Sequence, residues 1–309
     1  MRINLPIPDA TERQIMAPRF PQQRITLPTG VELDVAVAGD PGHPAIILLH
    51  GFPESHRTWR HQIPELAKTH FVIAPDQRGF ARSSKPAAVS DYAPAKLLAD
   101  LLALADHFGI DRFTLVGHDW GGAVAWMAAL NRPDRVERLI IINAPHPLIF
   151  QRTMFDDPDQ RAASQYIRAF RNPDLEGHIA EIGVEAYFAK TFVGRADQAK
   201  LALERPFYLD QWAQPGALTG MYNWYRASPI IVPAMDEEPP RPTFLDKPFA
   251  PLTMPALIIW GMADTALKPS QLVGLAELVP QMTLVKVDAG HFVPWEAPDA
   301  VNTAMRAWL

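Results

Sequence analysis

Asp119 is the residue from which chemistry can be argued first. It is the middle of Gly117-His118-Asp119-Trp120-Gly121, a G-x-D-x-G pattern that follows the apolar Leu115-Val116 and precedes an Ala-rich segment. A buried strand that turns abruptly into a helix needs small residues on both sides of the turn, because the middle residue is forced into strained backbone with its side chain projecting forward. A carboxylate at that point is a poor catalyst for opening a peptide or simple ester. It can, however, displace a leaving group from a saturated carbon and leave an alkyl ester on the protein. The motif alone fits nearly as well a tight strand–helix packing in which Asp119 is only an N-cap.

Two further segments narrow the choice. Ligands of open parallel sheets bind beyond the carboxyl ends of the strands. After the apolar run Ala256–Trp260 comes Gly261-Met262-Ala263-Asp264, and after Met282–Val287 comes Asp288-Ala289-Gly290-His291. The order nucleophile, acid, histidine is that of the elbow-type triads. His291 is the candidate base, with Asp264 available to fix its tautomer. Without the histidine, Asp264 would read as a turn residue capping the next helix. The ten histidines contain no HExxH spacing, and no cysteine is present, which excludes disulfides, thiolate metal sites and a Cys nucleophile. His50 and His118 flank the motifs and are assigned to hydrogen bonding of loop backbone.

The elements that must position these groups alternate. Arg24–Leu27 and Val31–Ala38 flank Pro28-Thr29-Gly30 as a hairpin, preceded by an extended arm over residues 1–22. Ala45–Leu49 is a continuous apolar run, as expected of a strand buried on both faces. A helix over Thr58–Lys68, a strand at Phe71–Ala74, a helix after Pro94, the elbow strand with its helix Ala123–Leu130, and a strand at Leu139–Ile142 follow. The alternation then stops and resumes only at Ala256–Trp260, with a helix around Ser270–Leu278, a strand at Met282–Val287 and a last helix over Pro298–Leu309. The expectation is an α/β protein with a mainly parallel sheet covered on both faces, interrupted by a helical insertion. In domain terms, residues 1–145 and 251–309 form the core and 146–250 a helical cap with a Pro-rich exit. Ser228–Pro255 holds eight prolines, and two placements stay open for it, over the mouth of a pocket or as a solvated surface loop.

Composition bounds the rest. Of 309 residues 48% are hydrophobic and 20% charged, enough for a sizeable core and against disorder. The net charge of −5 is mild, and Arg152, Arg161, Arg168 and Arg171 are spread through helical pattern instead of forming a stripe, so nucleic-acid binding has no support. No apolar run approaches membrane-spanning length and the first residues lack an apolar leader core, so a soluble, cytoplasmic protein is expected. Prolines number 31, about twice the usual share, which predicts many ordered loops.

His50–Ser55 (HGFPES), Asp76–Pro86 (DQRGFARSSKP), Gly117–Gly122 (GHDWGG), Asn143–Pro147 (NAPHP) and Gly290–Phe292 (GHF) resemble the motifs of epoxide hydrolases of the α/β-hydrolase fold, and the resemblance spans nearly the whole chain. It implies an α/β-hydrolase fold, no cofactor, a small apolar epoxide and water as the reacting partners, and a vicinal diol as product. It also implies two cap tyrosines that act as acids toward the epoxide oxygen. These map to Tyr166, in Gln165–Pro173, and to Tyr225, in Gln214–Arg226. Helical patterning puts Tyr166 on a face with Ala163, Ile167 and Phe170, and Tyr225 on one with Leu218, Met221 and Tyr222. The oxyanion hole falls to the backbone N–H groups of Phe52 and Trp120, and the pocket wall to Phe52, Trp120, Ile149, Leu267, Phe292 and Val293. Haloalkane dehalogenases share the Asp–His–Asp logic, but usually carry an Asn where this chain has Phe52. A non-catalytic small-molecule receptor on the same fold is the alternative from another class. A homodimer is left open.

Overall fold

The computed structural model describes residues 20–192 and 197–309. The arm expected over residues 1–22 therefore lies almost wholly outside the described residues. Eight strands form one sheet: β1 (Gln22–Thr26), β2 (Glu32–Ala38), β3 (Ala45–Leu49), β4 (Phe71–Pro75), β5 (Phe113–His118), β6 (Val136–Ile142), β7 (Ala256–Gly261) and β8 (Met282–Val287), in the order β1-β2-β4-β3-β5-β6-β7-β8. The β1–β2 and β2–β4 pairs are antiparallel, and every other pair is parallel. This is the α/β-hydrolase architecture.

The strand period of two divides the apolar side chains between the faces of the sheet. Ile47, Leu49, Ile73, Leu115, Leu139, Ile141 and Ile258 point to one side, where they pack with Leu97, Leu101 and Leu104 of helix Pro94–His107 and with Val124, Ala125 and Ala128 of the elbow helix Trp120–Asn131. Ile46, Leu48, Val72, Val116, Ile140, Leu257 and Ile259 point to the other, against Trp59, Ile63, Leu66, Val301 and Met305. Both faces being buried is why β3, β5 and β7 read as unbroken apolar runs.

Two expected helices are broken. The stretch Thr58–Lys68 becomes a 3-10 turn at His56–Trp59 and a single turn at Ile63–Leu66, because Pro64 has no N–H to continue the first turn into the second. The stretch around Ser270–Leu278 becomes a 3-10 turn at Pro269–Leu272 and a turn at Leu275–Leu278. Gly274 between them adopts a left-handed conformation (φ +77°) that interrupts the ladder.

Between β6 and β7 the described residues contain helices and loops without a strand. Helix Gln198–Trp212 docks this segment onto the loop after β3: Trp212 Nε1 donates to the Pro53 carbonyl (3.1 Å), Gln211 Nε2 to Ser55 Oγ (3.0 Å), and Arg57 pairs with Glu204 (2.8 Å). The Pro-rich exit is tethered from beneath. Arg171 donates to the Ser228 and Ile230 carbonyls, Arg168 to Val232, Arg161 to Glu237 and Arg152 to Leu245, at 2.8–3.1 Å. A segment rich in proline has few N–H groups with which to occupy its own carbonyls, and the scattered arginines supply the missing donors. No described helix is long and apolar enough to cross a membrane.

Candidate active site

The elbow forms at the carboxyl end of β5. Asp119 has φ 49° and ψ −121°, a conformation that costs an L-residue on the order of 1–3 kcal/mol and persists only where its surroundings impose it. Glycine on each side makes this possible. A Cβ on Gly121 would run into the Leu49 carbonyl, and one on Gly51 into the Asp119 side chain. The backbone of β3 and its following loop therefore lies directly against the turn.

Three of the expected residues are brought together by this packing. Phe52 N–H donates to Asp119 Oδ1 at 2.7 Å, and His291 Nε2 lies 3.5 Å from Asp119 Oδ2. On its other side, His291 Nδ1 meets Asp264 Oδ2 at 2.7 Å. The two carboxylate oxygens of Asp119 are thus distinguished, one held by backbone and one turned toward the imidazole. Trp120 is the first residue of the elbow helix, so its N–H is among those with no acceptor inside the helix. The Phe52–Pro53 bond is cis.

Burial pushes the Asp119 and Asp264 carboxyls upward, but the hydrogen bond and charge of His291 outweigh it and hold both below the usual carboxylate range. Burial likewise pushes His291 down, and the charge of Asp264 together with the Asp119 hydrogen bond raises it well above an ordinary histidine. The resting site is an imidazolium between two carboxylates.

Further residues brace this arrangement, and sequence reasoning had assigned them no role in it. Asn143, at the carboxyl end of β6, donates to Asp264 Oδ2 (2.8 Å), and the backbone N–H groups of Ala266 and Leu267 donate to Asp264 Oδ1 (2.8 and 2.9 Å). The strand-end rule that pointed to Asp264 and His291 points equally to Asn143. His118 Nε2 donates to the His291 carbonyl at 2.8 Å, and burial lowers its pKa to about 4. Its other nitrogen faces Glu54, whose Oε1 accepts from Tyr208 and Trp295 and whose carboxyl burial pushes up. His50 Nε2 accepts from the Gln77 N–H while Nδ1 donates to the Gly51 carbonyl.

Opposite Asp119 stand both tyrosines. Tyr166 lies in helix Gln165–Phe170 and Tyr225 in helix Ala217–Ala227, with ring centroids 6.1 Å apart. Tyr225 is edge-on to Phe52 (5.2 Å) and Trp120 (5.0 Å). Burial, then the nearby Asp119 charge, raises the Tyr225 phenol well above its ordinary value, so the hydroxyl keeps its proton.

Asp119, Tyr166 and Tyr225 line two cavities. One of about 610 Å³ extends past Trp120 and Leu267 to the Pro-rich exit, which supplies Pro229, Ile230, Ile231 and Phe249 to its wall. The other, about 40 Å³, is bounded by Phe52, Phe170, His291 and Phe292. Of the two placements open for the Pro-rich stretch, the structure takes the one against the pocket. Ile149 and Val293, expected in the wall, line neither cavity. Helix Pro147–Asp156 turns Pro147, Leu148, Phe150 and Gln151 to the cavity. At 100° per residue, Ile149 falls opposite that arc. Val293 opens a short helix and is buried with Val301 and Met305 on the far face of the sheet.

Comparison with known proteins agrees with this architecture. Residues 44–298 match the alpha/beta hydrolase fold family. The chain is 36% identical to the AB hydrolase superfamily protein YfhM of Bacillus subtilis, over 91% of this chain and 95% of that one. It is 32% identical to epoxide hydrolase A of Mycobacterium tuberculosis, over 94% and 97%. A solved structure from novel epoxide hydrolases of the α/β-hydrolase superfamily, found in metagenomes from hot environments, is 48% identical, with a TM-score of 0.87 over 94% of this chain and 99% of that chain. The chain belongs to the α/β-hydrolase family, among its epoxide hydrolases.

Proposed function

We propose that this protein opens an epoxide to a vicinal diol through a covalent ester on Asp119, beneath a helical cap formed by residues 146–250 on a core of 1–145 and 251–309. The observation that carries the reading is the setting of Asp119: Oδ1 on the Phe52 N–H, Oδ2 toward His291, and two tyrosines across the cavity.

In the first step Oδ2 attacks one oxirane carbon, the C–O bond of the ring breaks, and the oxygen takes up negative charge against the hydroxyls of Tyr166 and Tyr225, one of which supplies its proton. Oδ1 becomes the ester carbonyl oxygen, already seated on the Phe52 N–H. In the second step His291, oriented by Asp264, takes a proton from water as the oxygen adds to the ester carbon. Charge then develops on Oδ1, where the N–H groups of Phe52 and Trp120 receive it. Collapse of this intermediate expels the diol and restores the carboxylate.

The test is the intact mass of a His291→Gln variant exposed in parallel to aryl epoxides and haloalkanes. The reading expects an adduct equal to the whole epoxide, lost when Asp119 is also changed to Ala. An adduct from haloalkanes alone, equal to the alkyl group, would make the protein a dehalogenase. No adduct from either would remove the covalent mechanism.

A further inference from the structure

The two cavities that share Asp119, Tyr166 and Tyr225 differ more than tenfold in volume. An apolar cavity of about 150 Å³ accommodates one benzene, whereas a water needs about 10–15 Å³. The 40 Å³ space beside His291 therefore admits water or a methyl group and no ring, while the 610 Å³ space lies in the range that encloses whole ligands. An oxirane held by Asp119 and the tyrosines sits at the junction. A substituent on one carbon extends into the large cavity, and a second substituent trans to it has to point into the small one.

The small cavity does not yield cheaply. Its wall residue Phe170 packs against Phe52 (5.1 Å between ring centroids), Tyr166 (5.5 Å) and Tyr225 (5.0 Å), so displacing it disturbs the tyrosines themselves. The space is also the one that His291 and Asp119 line together, where the water of ester hydrolysis has to stand. A ring placed there would remove that water.

We propose that the protein selects terminal epoxides bearing a single bulky apolar substituent, which lies against the Pro-rich wall of the large cavity, and rejects trans-1,2-disubstituted epoxides whose second group exceeds a methyl. This rests on the epoxide reading above and adds the substitution pattern of the substrate.

The experiment is a series of aryl epoxides carrying hydrogen, methyl, ethyl or phenyl trans on the second carbon, with kcat/KM measured for each. The methyl compound is expected within about tenfold of the terminal one, and the diphenyl compound at least about 100-fold below it. Phe170→Ala is expected to raise the diphenyl value relative to the terminal one by about tenfold or more. A diphenyl value within about threefold of the terminal one in the unmodified protein overturns the selectivity and leaves the epoxide reading standing. No turnover and no ester on His291→Gln across the whole series overturns the epoxide reading and this inference with it. The series on the unmodified protein decides the matter even where Phe170→Ala fails to fold.

Discussion

Asn143 donates through Nδ2 to Asp264 Oδ2 at 2.8 Å while its own Oδ1 accepts the Gly261 N–H at 2.7 Å, so one amide joins the end of β7 to the carboxylate behind His291. Asn143 does this from φ 39°, a left-handed conformation in which asparagine is among the few tolerated side chains. Asn143→Ala loses the charge-assisted bond, worth about 1.5–3 kcal/mol, and adds the strain of a Cβ without an amide. Asn143→Gly loses the bond and relieves the backbone. Both variants are expected to slow ester hydrolysis by roughly 10–100-fold, with Asn143→Ala melting below Asn143→Gly. Single-turnover kinetics with thermal melts check this, and undiminished hydrolysis in both would show that Asp264 needs no such brace.

The raised pKa of His291 has a consequence for pH. In the resting site the imidazolium is favoured by Asp264 and Asp119. Esterification removes the Asp119 charge, so the His291 pKa falls and the ring becomes free to act as a base. Alkylation needs Asp119 ionised, and its depressed pKa preserves that into acid. Hydrolysis needs His291 neutral and falls about tenfold per pH unit below its pKa in the ester. The ester should therefore accumulate at about pH 5 and not at about pH 8, as read by rapid quench and intact mass. An ester fraction that rises with pH would contradict the assignment of the base.

The two tyrosines divide one task. Each hydroxyl faces the same developing charge, and removal of one such donor typically costs about 10²–10³ in rate. Tyr166→Phe and Tyr225→Phe should each slow ester formation by about that factor in a His291→Gln background, and the double variant should form none. Tyr225→Phe leaves the edge-on contacts with Phe52 and Trp120 in place, so a loss of rate there reports the hydroxyl and not the packing. Ester formation at unchanged rate in both single variants would assign the proton donor elsewhere.

What could be read beforehand follows from what leaves a pattern in side chains. Runs such as Ala256–Trp260 are legible because a strand buried on both faces excludes polar residues, and the glycines around Asp119 are legible because backbone approaches there. Asn143 was harder to see, since an amide at a strand end has no characteristic chemistry until its partner is known. The Pro-rich stretch showed that it was a loop, but not which way it faced. Its placement depends on Arg152, Arg161, Arg168 and Arg171 reaching main-chain carbonyls, which every residue carries alike. Ile149 was misplaced because a wall depends on helix phase, and one position along Pro147–Asp156 is a turn of 100°.

Gln151 makes the tether of that loop testable. Its Nε2 donates to the Ile231 carbonyl at 2.9 Å and its Oε1 accepts the Ile231 N–H at 2.8 Å, the pairing a neighbouring strand would provide. Ile231 and Gln151 both line the large cavity, so the bond fixes the wall against which a bulky substituent would lie. Arg171 and Arg168 hold the carbonyls of Ile230 and Val232 on either side, which confines the effect of losing it. Gln151→Ala should speed amide exchange at Ile231. It should also raise KM for aryl epoxides by about 3–10-fold while leaving kcat for a small terminal epoxide within about twofold, because Asp119, His291 and the tyrosines are untouched. Gln151→Glu keeps the acceptor but sets a carboxylate against the Ile231 carbonyl, and should behave no better than the alanine variant. Exchange and KM both unchanged in Gln151→Ala would mean that the flanking arginines alone hold the wall in place.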